Sequence, residues 1–164
     1  MNSIPSPTKI PVLQRSDQVV VHDLAGGSIA VRLRAEETGG QLGLVENVIP
    51  AGFAGLPPHV HAFDEAFFML EGELTFRAGD EALTAGAGSL CYIPGAVPHT
   101  FAELSGQPAR VLIWLIPGGD ETYFEVMAAE GARTGGAPSP EFFARLMREH
   151  GITPVGSSDP RAQP

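Results

Sequence analysis

The placement of glycine and proline is what most restricts the fold of this chain. Twenty glycines and fifteen prolines lie scattered between short apolar runs, a texture that favours many turns and an all-β core. Alternating segments at residues 19–23 and 28–34 flank Ala25-Gly26-Gly27 and predict a hairpin. A loop over residues 36–40 leads to a strand at 41–49. Further strands are expected at 65–70 and 73–78 around the turn Glu71-Gly72, then at 81–84, 89–93 and 99–104. Residues 110–116 form the most apolar run and predict a strand buried on both faces. Strands this short and this regularly spaced suggest a sandwich or small barrel.

After Pro117-Gly118-Gly119 the texture changes. Asp120 is placed to cap a helix running to Glu130, and residues 140–150 read as a second helix stopped by Gly151. The expected organisation is an extended N-terminal arm (1–18), a β-barrel (19–117), a helical extension packed on it (118–153) and a flexible tail (154–164).

The formal charge of −9 comes without any dense basic cluster, which argues against nucleic acid as a partner. Cys91 is the single cysteine, so no disulfide forms within the chain, as suits a reducing compartment. No run has the length of a membrane span or of a signal-peptide core. The expectation is a cytoplasmic protein with no membrane contact.

The stretch His59-Val-His61-Ala-Phe-Asp-Glu65 carries the chemistry, together with His99. On an extended strand residues i and i+2 share a face, so His59 and His61 aim at one point. Glu65 has the same parity and joins them if Phe63-Asp64 bends gently, while His99 must come from a separate strand. Three imidazoles and one carboxylate suit a single divalent transition metal, and Fe, Mn, Co, Ni and Zn all fit this donor set. Parity also turns Phe67 and Met69 inward with Glu65, and Phe101 and Glu103 inward with His99. Phe67, Met69, Phe101 and Tyr123 are the candidate walls of a substrate pocket, with Glu103 either beside the metal or at the rim. Asp64 reads as exposed rather than as a ligand, Cys91 as a small hydrophobe, and His22 and His150 as having no special role.

These residues resemble the two motifs of the cupin superfamily over about residues 40–117. His59, His61, Glu65 and Gly72 match the first motif, and Gly88, Pro94 and His99 match the second. Ala96 stands where the second motif has a glycine, with Gly95 one position early, and Glu103 replaces its asparagine. The segments after Pro117 look like those of small single-domain cupins grouped with quercetin 2,3-dioxygenases. That resemblance implies an all-β double-stranded β-helix, or jelly-roll, barrel with two short C-terminal α-helices, assembled as a homodimer. It implies a metal-dependent dioxygenase that cleaves a small enolic or aromatic substrate with O2, releasing carbon monoxide. His59, His61, Glu65 and His99 would be its ligands, and Glu65 would double as the base that takes the enolic proton. The alternatives are a non-oxidative isomerase or lyase using the metal as a Lewis acid, and a metal-assisted small-molecule binding or sensing protein.

Overall fold

The computed structural model describes residues 9–156, and its first hairpin turns on two residues. Ala25 and Gly26 both take positive φ, 48° and 88°, the backbone of the turn that matches the twist of paired strands. They join β1 (His22–Leu24) to β2 (Gly27–Leu33). The loop expected over residues 36–40 is instead a single helical turn, α1 (Ala35–Thr38), closed by Gly39 in the left-handed region. Then come β3 (Gly43–Ile49), β4 (His59–Val60), β5 (Asp64–Glu71), β6 (Glu73–Ala78) and β7 (Glu81–Gly86). The strands β8 (Leu90–Ile93), β9 (His99–Ala102) and β10 (Ala109–Ile116) lead into the helices α2 (Glu121–Thr134) and α3 (Pro140–Glu149). A last strand, β11 (Thr153–Pro154), follows them.

Antiparallel pairing gathers the strands into a six-stranded sheet, β1-β2-β3-β10-β5-β8, and a five-stranded sheet, β11-β4-β9-β6-β7. The strands form two sheets over one core, to which β2, β3, β5, β8 and β10 contribute from the first and β6 and β7 from the second. Ile29, Val45, Phe67, Met69, Phe76 and Ile113 are buried there, each worth about 1.5–3 kcal/mol against exposure. The sheets are alternating, with one face inward. The expectation that β10 is buried on both faces does not hold: Val111, Ile113 and Leu115 are buried, whereas Leu112 and Trp114 are half-buried and Ile116 exposed.

The helical extension departs from expectation at its edges. Helix α2 runs to Thr134 rather than Glu130, and the Asp120 side chain does not cap it. That carboxylate instead meets His150 Nδ1 at 2.8 Å, tying the start of α2 to the end of α3. Helix α3 begins as its sequence suggests, with Ser139 Oγ accepting from Phe142 N and Pro140 in the first turn. Pro154, expected in a flexible tail, is paired through β11 with His59. Residues 1–8 of the expected arm and 157–164 of the expected tail lie outside the described residues. Among those described, no helix is long and apolar enough to cross a membrane.

Glu121 joins the extension to the sheet. It is 3% exposed, and its two oxygens accept from Ala35 N and Gly119 N, each at 2.7 Å. Its carboxylate also fills the space where a Cβ on Gly43 would sit. Glu121→Ala leaves two backbone N–H groups without an acceptor and is expected to cost about 2 kcal/mol. That is a fall of about 4–8 °C in melting temperature for a chain of this size, followed by circular dichroism. Glu121→Gln, which keeps one good acceptor, should lose less, and an unshifted Glu121→Ala would contradict this role.

Candidate metal centre

The strand pairing that unites the histidines is short and local. His59 on β4 lies directly opposite His99 on β9, and His61 follows two residues after His59, just past the end of β4. Nitrogens of His59, His61 and His99 lie within 4.8 Å of one another, and all three residues are buried. Glu65 arrives by a different route from the one parity suggested. Between His61 and Asp64 the chain leaves the five-stranded sheet and enters the six-stranded one, so the carboxylate faces the imidazoles from the opposite wall. No gentle bend is involved.

The segment carrying the motif-two turn is clamped onto this crossing. Asp64 accepts from Tyr92 Oη at 2.6 Å and from Gly95 N at 2.7 Å, and His61 O accepts from Ala96 N at 2.7 Å. Asp64 is therefore half-buried and structural, neither freely exposed nor a ligand. The displaced glycine is also explained. Residue 95 passes so close to Ala62 O that no Cβ fits, whereas Ala96 adopts φ 64° despite its side chain, a strained conformation worth about 1–2 kcal/mol.

Each imidazole is oriented by its own backbone. His59 Nδ1 faces Pro57 O at 2.9 Å, His61 Nδ1 faces Phe63 O at 2.9 Å, and His99 Nδ1 faces Val97 O at 2.8 Å. A carbonyl oxygen can only accept, so every Nδ1 carries its proton and every Nε2 turns toward the shared space. His61 is further held flat against Phe63, with centroids 3.7 Å apart and planes 6° apart. This is the preparation a metal-binding histidine needs, the outer nitrogen donating to a carbonyl and the inner one offering a lone pair. Ligands that share one ion at about 2.1 Å stand at most about 4.2 Å apart, so the histidine cluster fits a single divalent ion with little adjustment.

Glu65 completes the charge pattern. Its Oε2 lies 3.2 Å from His61 Nε2 and 3.0 Å from His99 Nε2. Burial would raise its pKa, but the hydrogen bonds from His61 and His99 outweigh that and hold it down to about 2. For His99, burial opposes protonation, yet the Glu65 and Val97 hydrogen bonds prevail and its pKa is raised. Burial lowers that of His59, whose Nε2 has no hydrogen-bond partner among the described residues.

A cavity of about 430 Å³ opens from this centre, the size of a small-molecule site. Phe67, Phe101 and Tyr123 line it as expected. Met69 does not. It is fully buried in the core, four residues further along β5 from Glu65. Glu103 is neither beside the metal nor at the rim: it is 1% exposed and accepts from Gly52 N and Ser105 N, each at 2.6 Å, locking two loops together. Cys91 is half-buried, and burial together with the Glu65 charge raises its pKa, which keeps it in the thiol form. Parity missed Phe53 and Leu56 from the segment before His59, and Phe143 and Met147 from the helices. It also passed over Asn47, whose inward position in β3 was visible in the alternation.

Residues 45–115 match the family model for the cupin domain. Two solved structures share the arrangement. An RmlC-like cupin from Shewanella frigidimarina is 15% identical with a TM-score of 0.57, covering 70% of this chain and 97% of that one. The polyketide cyclase RemF from Streptomyces resistomycificus is 22% identical with a TM-score of 0.54, covering 65% and 80%. The protein therefore has the cupin fold. An uncharacterized protein of Streptomyces coelicolor is 35% identical over 57 residues, or 35% of this chain; the match spans about half of that relative, 53% of its length.

Metal binding has a definite sign with pH. His99 holds a proton to a higher pH than the ordinary 6.5 of an imidazole, and a metal must displace it. Affinity for Co²⁺ or Zn²⁺ should therefore fall as pH is lowered through neutrality, with proton release at pH 7 visible as buffer-dependent enthalpy in calorimetry. His99→Ala should weaken binding by at least about a hundredfold. Metal uptake without proton release would contradict this arrangement.

Proposed function

We propose that this chain is a cytoplasmic, metal-dependent cupin dioxygenase acting on a small enolic substrate, most naturally an aromatic one. The observation that carries the reading is the convergence of three backbone-oriented imidazoles and, facing them, the Glu65 carboxylate in an apolar cavity. His59, His61 and His99 would hold the metal, with Glu65 as fourth ligand. A divalent ion there would supply a cationic centre with open coordination positions beside an anionic enolate.

The protein's own groups supply the rest. Hydrogen bonds hold the Glu65 pKa down; without them, burial raises its affinity for a proton. It is then placed to take the proton of an enolic hydroxyl. The Tyr123 hydroxyl has no hydrogen-bond partner among the described residues, and burial, with the Glu65 charge, raises its pKa. It stays a neutral donor over the same cavity, able to orient a substrate oxygen. Phe63, Phe67 and Phe101 exclude water from the space between and suit the flat face of a ring.

A second reading, a non-oxidative reaction using the metal as a Lewis acid, is favoured by the likeness to the polyketide cyclase RemF. Oxygen decides between them. Purified protein loaded with each of Fe²⁺, Mn²⁺, Co²⁺ and Ni²⁺ is offered flavonols in air, following O2 uptake and loss of flavonol absorbance. The expected result is O2 consumption that disappears in His61→Ala and drops about 10²–10⁴-fold in kcat for Glu65→Gln. Turnover of an enolic substrate under anaerobic conditions would favour the second reading, and ligand retention without product would favour a binding protein.

Dimerisation is proposed through the outward face of the six-stranded sheet. There Trp114 pairs with Ala66 and Leu44, and Leu112 with Phe68, beside the exposed Leu90 and Tyr92. Such an apolar surface suits a second copy. Light scattering should give a dimer for the wild type and a monomer for Trp114→Glu.

A further inference from the structure

Strand β3 places one polar side chain among apolar ones on its inward face. Asn47 is 6% exposed and shares parity with Val45 and Ile49. Its paired neighbours across the sheet are Ile29 and Val111, and beyond Val111 lies Met69. The side chain lines the cavity, yet its amide has no hydrogen-bond partner among the described residues. Its carboxamide therefore presents a donor and an acceptor to an otherwise apolar cavity, with no protein group occupying either. A molecule that fills the cavity can pair with it there.

The register places Asn47 relative to the centre. Glu65 pairs with Leu115, and Leu115 with Gly43. Asn47 lies four residues further along β3, about 13 Å at 3.3 Å per residue. The row between them is apolar: Phe67, Ile113 and Val45 pair across the three strands. We infer that Asn47 is a specificity residue, recognising a second oxygen function at the far end of an elongated, otherwise apolar substrate whose first oxygen meets the histidine–Glu65 centre. This rests on the enolic reading above. The carboxamide both donates and accepts, so the distal group is a hydroxyl or a carbonyl. The 13 Å along the sheet, shortened by the reach of the two side chains, corresponds to a planar molecule of two or three rings.

Two probes separate the ends of such a molecule. Quercetin carries hydroxyls on its distal rings, and 3-hydroxyflavone keeps the same enol but lacks them. Binding to the Ni²⁺-loaded protein is measured without oxygen, so that no turnover intervenes. The wild type should prefer quercetin by about tenfold or more, the value of one well-made hydrogen bond to a buried group. Asn47→Leu should lose that preference, weakening quercetin while binding 3-hydroxyflavone as well as before or better. Without ligand this variant should melt no lower than the wild type, an outcome that a purely structural asparagine would not give.

Equal weakening of both probes, or of neither, overturns the role of Asn47 and leaves the centre's reading intact. A wild type that binds the two probes equally overturns it as well, whether or not the variant folds. A wild type that holds the metal but binds neither flavonol overturns both readings together.

Discussion

Three backbone carbonyls govern this molecule's chemistry. Pro57, Phe63 and Val97 each fix one imidazole by accepting a hydrogen bond from its Nδ1–H, and without them the rings would be free to rotate or to exchange tautomers. The carbonyls are not interchangeable with side chains. They belong to the segments that enter and leave β4 and β9, so the orientation of the donors is set by the path of the chain. The surrounding sheets, the Asp64 clamp and the Phe63 stack all hold that path in place.

The facing carboxylate gives the centre its electrostatic balance. Glu65 is buried, which alone would favour its neutral form, but two imidazole N–H groups keep it ionised. The same side chains that pair with one another in this buried cluster hold the geometry that a metal requires.

Much of this was legible in the residues. The His59-Val60-His61 spacing, the separate contribution of His99 and the turn at Ala25-Gly26 follow from local geometry, and the structure keeps all three. The start of α3 was equally readable, because Ser139-Pro140 states its own cap. The route of Glu65 was not. Parity counts faces along one strand, and it fails where the chain changes sheets between His61 and Asp64. Met69 failed for a related reason: inward-facing is not the same as cavity-lining when a lumen is filled at one end. The walls from Phe53, Phe143 and Met147 had no local signal, since segments far apart in sequence meet there only through tertiary packing. Ala96 shows a further limit, because a motif glycine can be replaced where neighbouring hydrogen bonds hold the backbone.

The pairing of β11 with β4 ties the segment after the helices to the first imidazole. Pro154 sits against the strand that bears His59, and Val155 N donates to Pro58 O at 2.8 Å, next to the carbonyl that steers that ring. The short strand is thus a brace: whatever shifts the end of α3 is felt at the ring of His59.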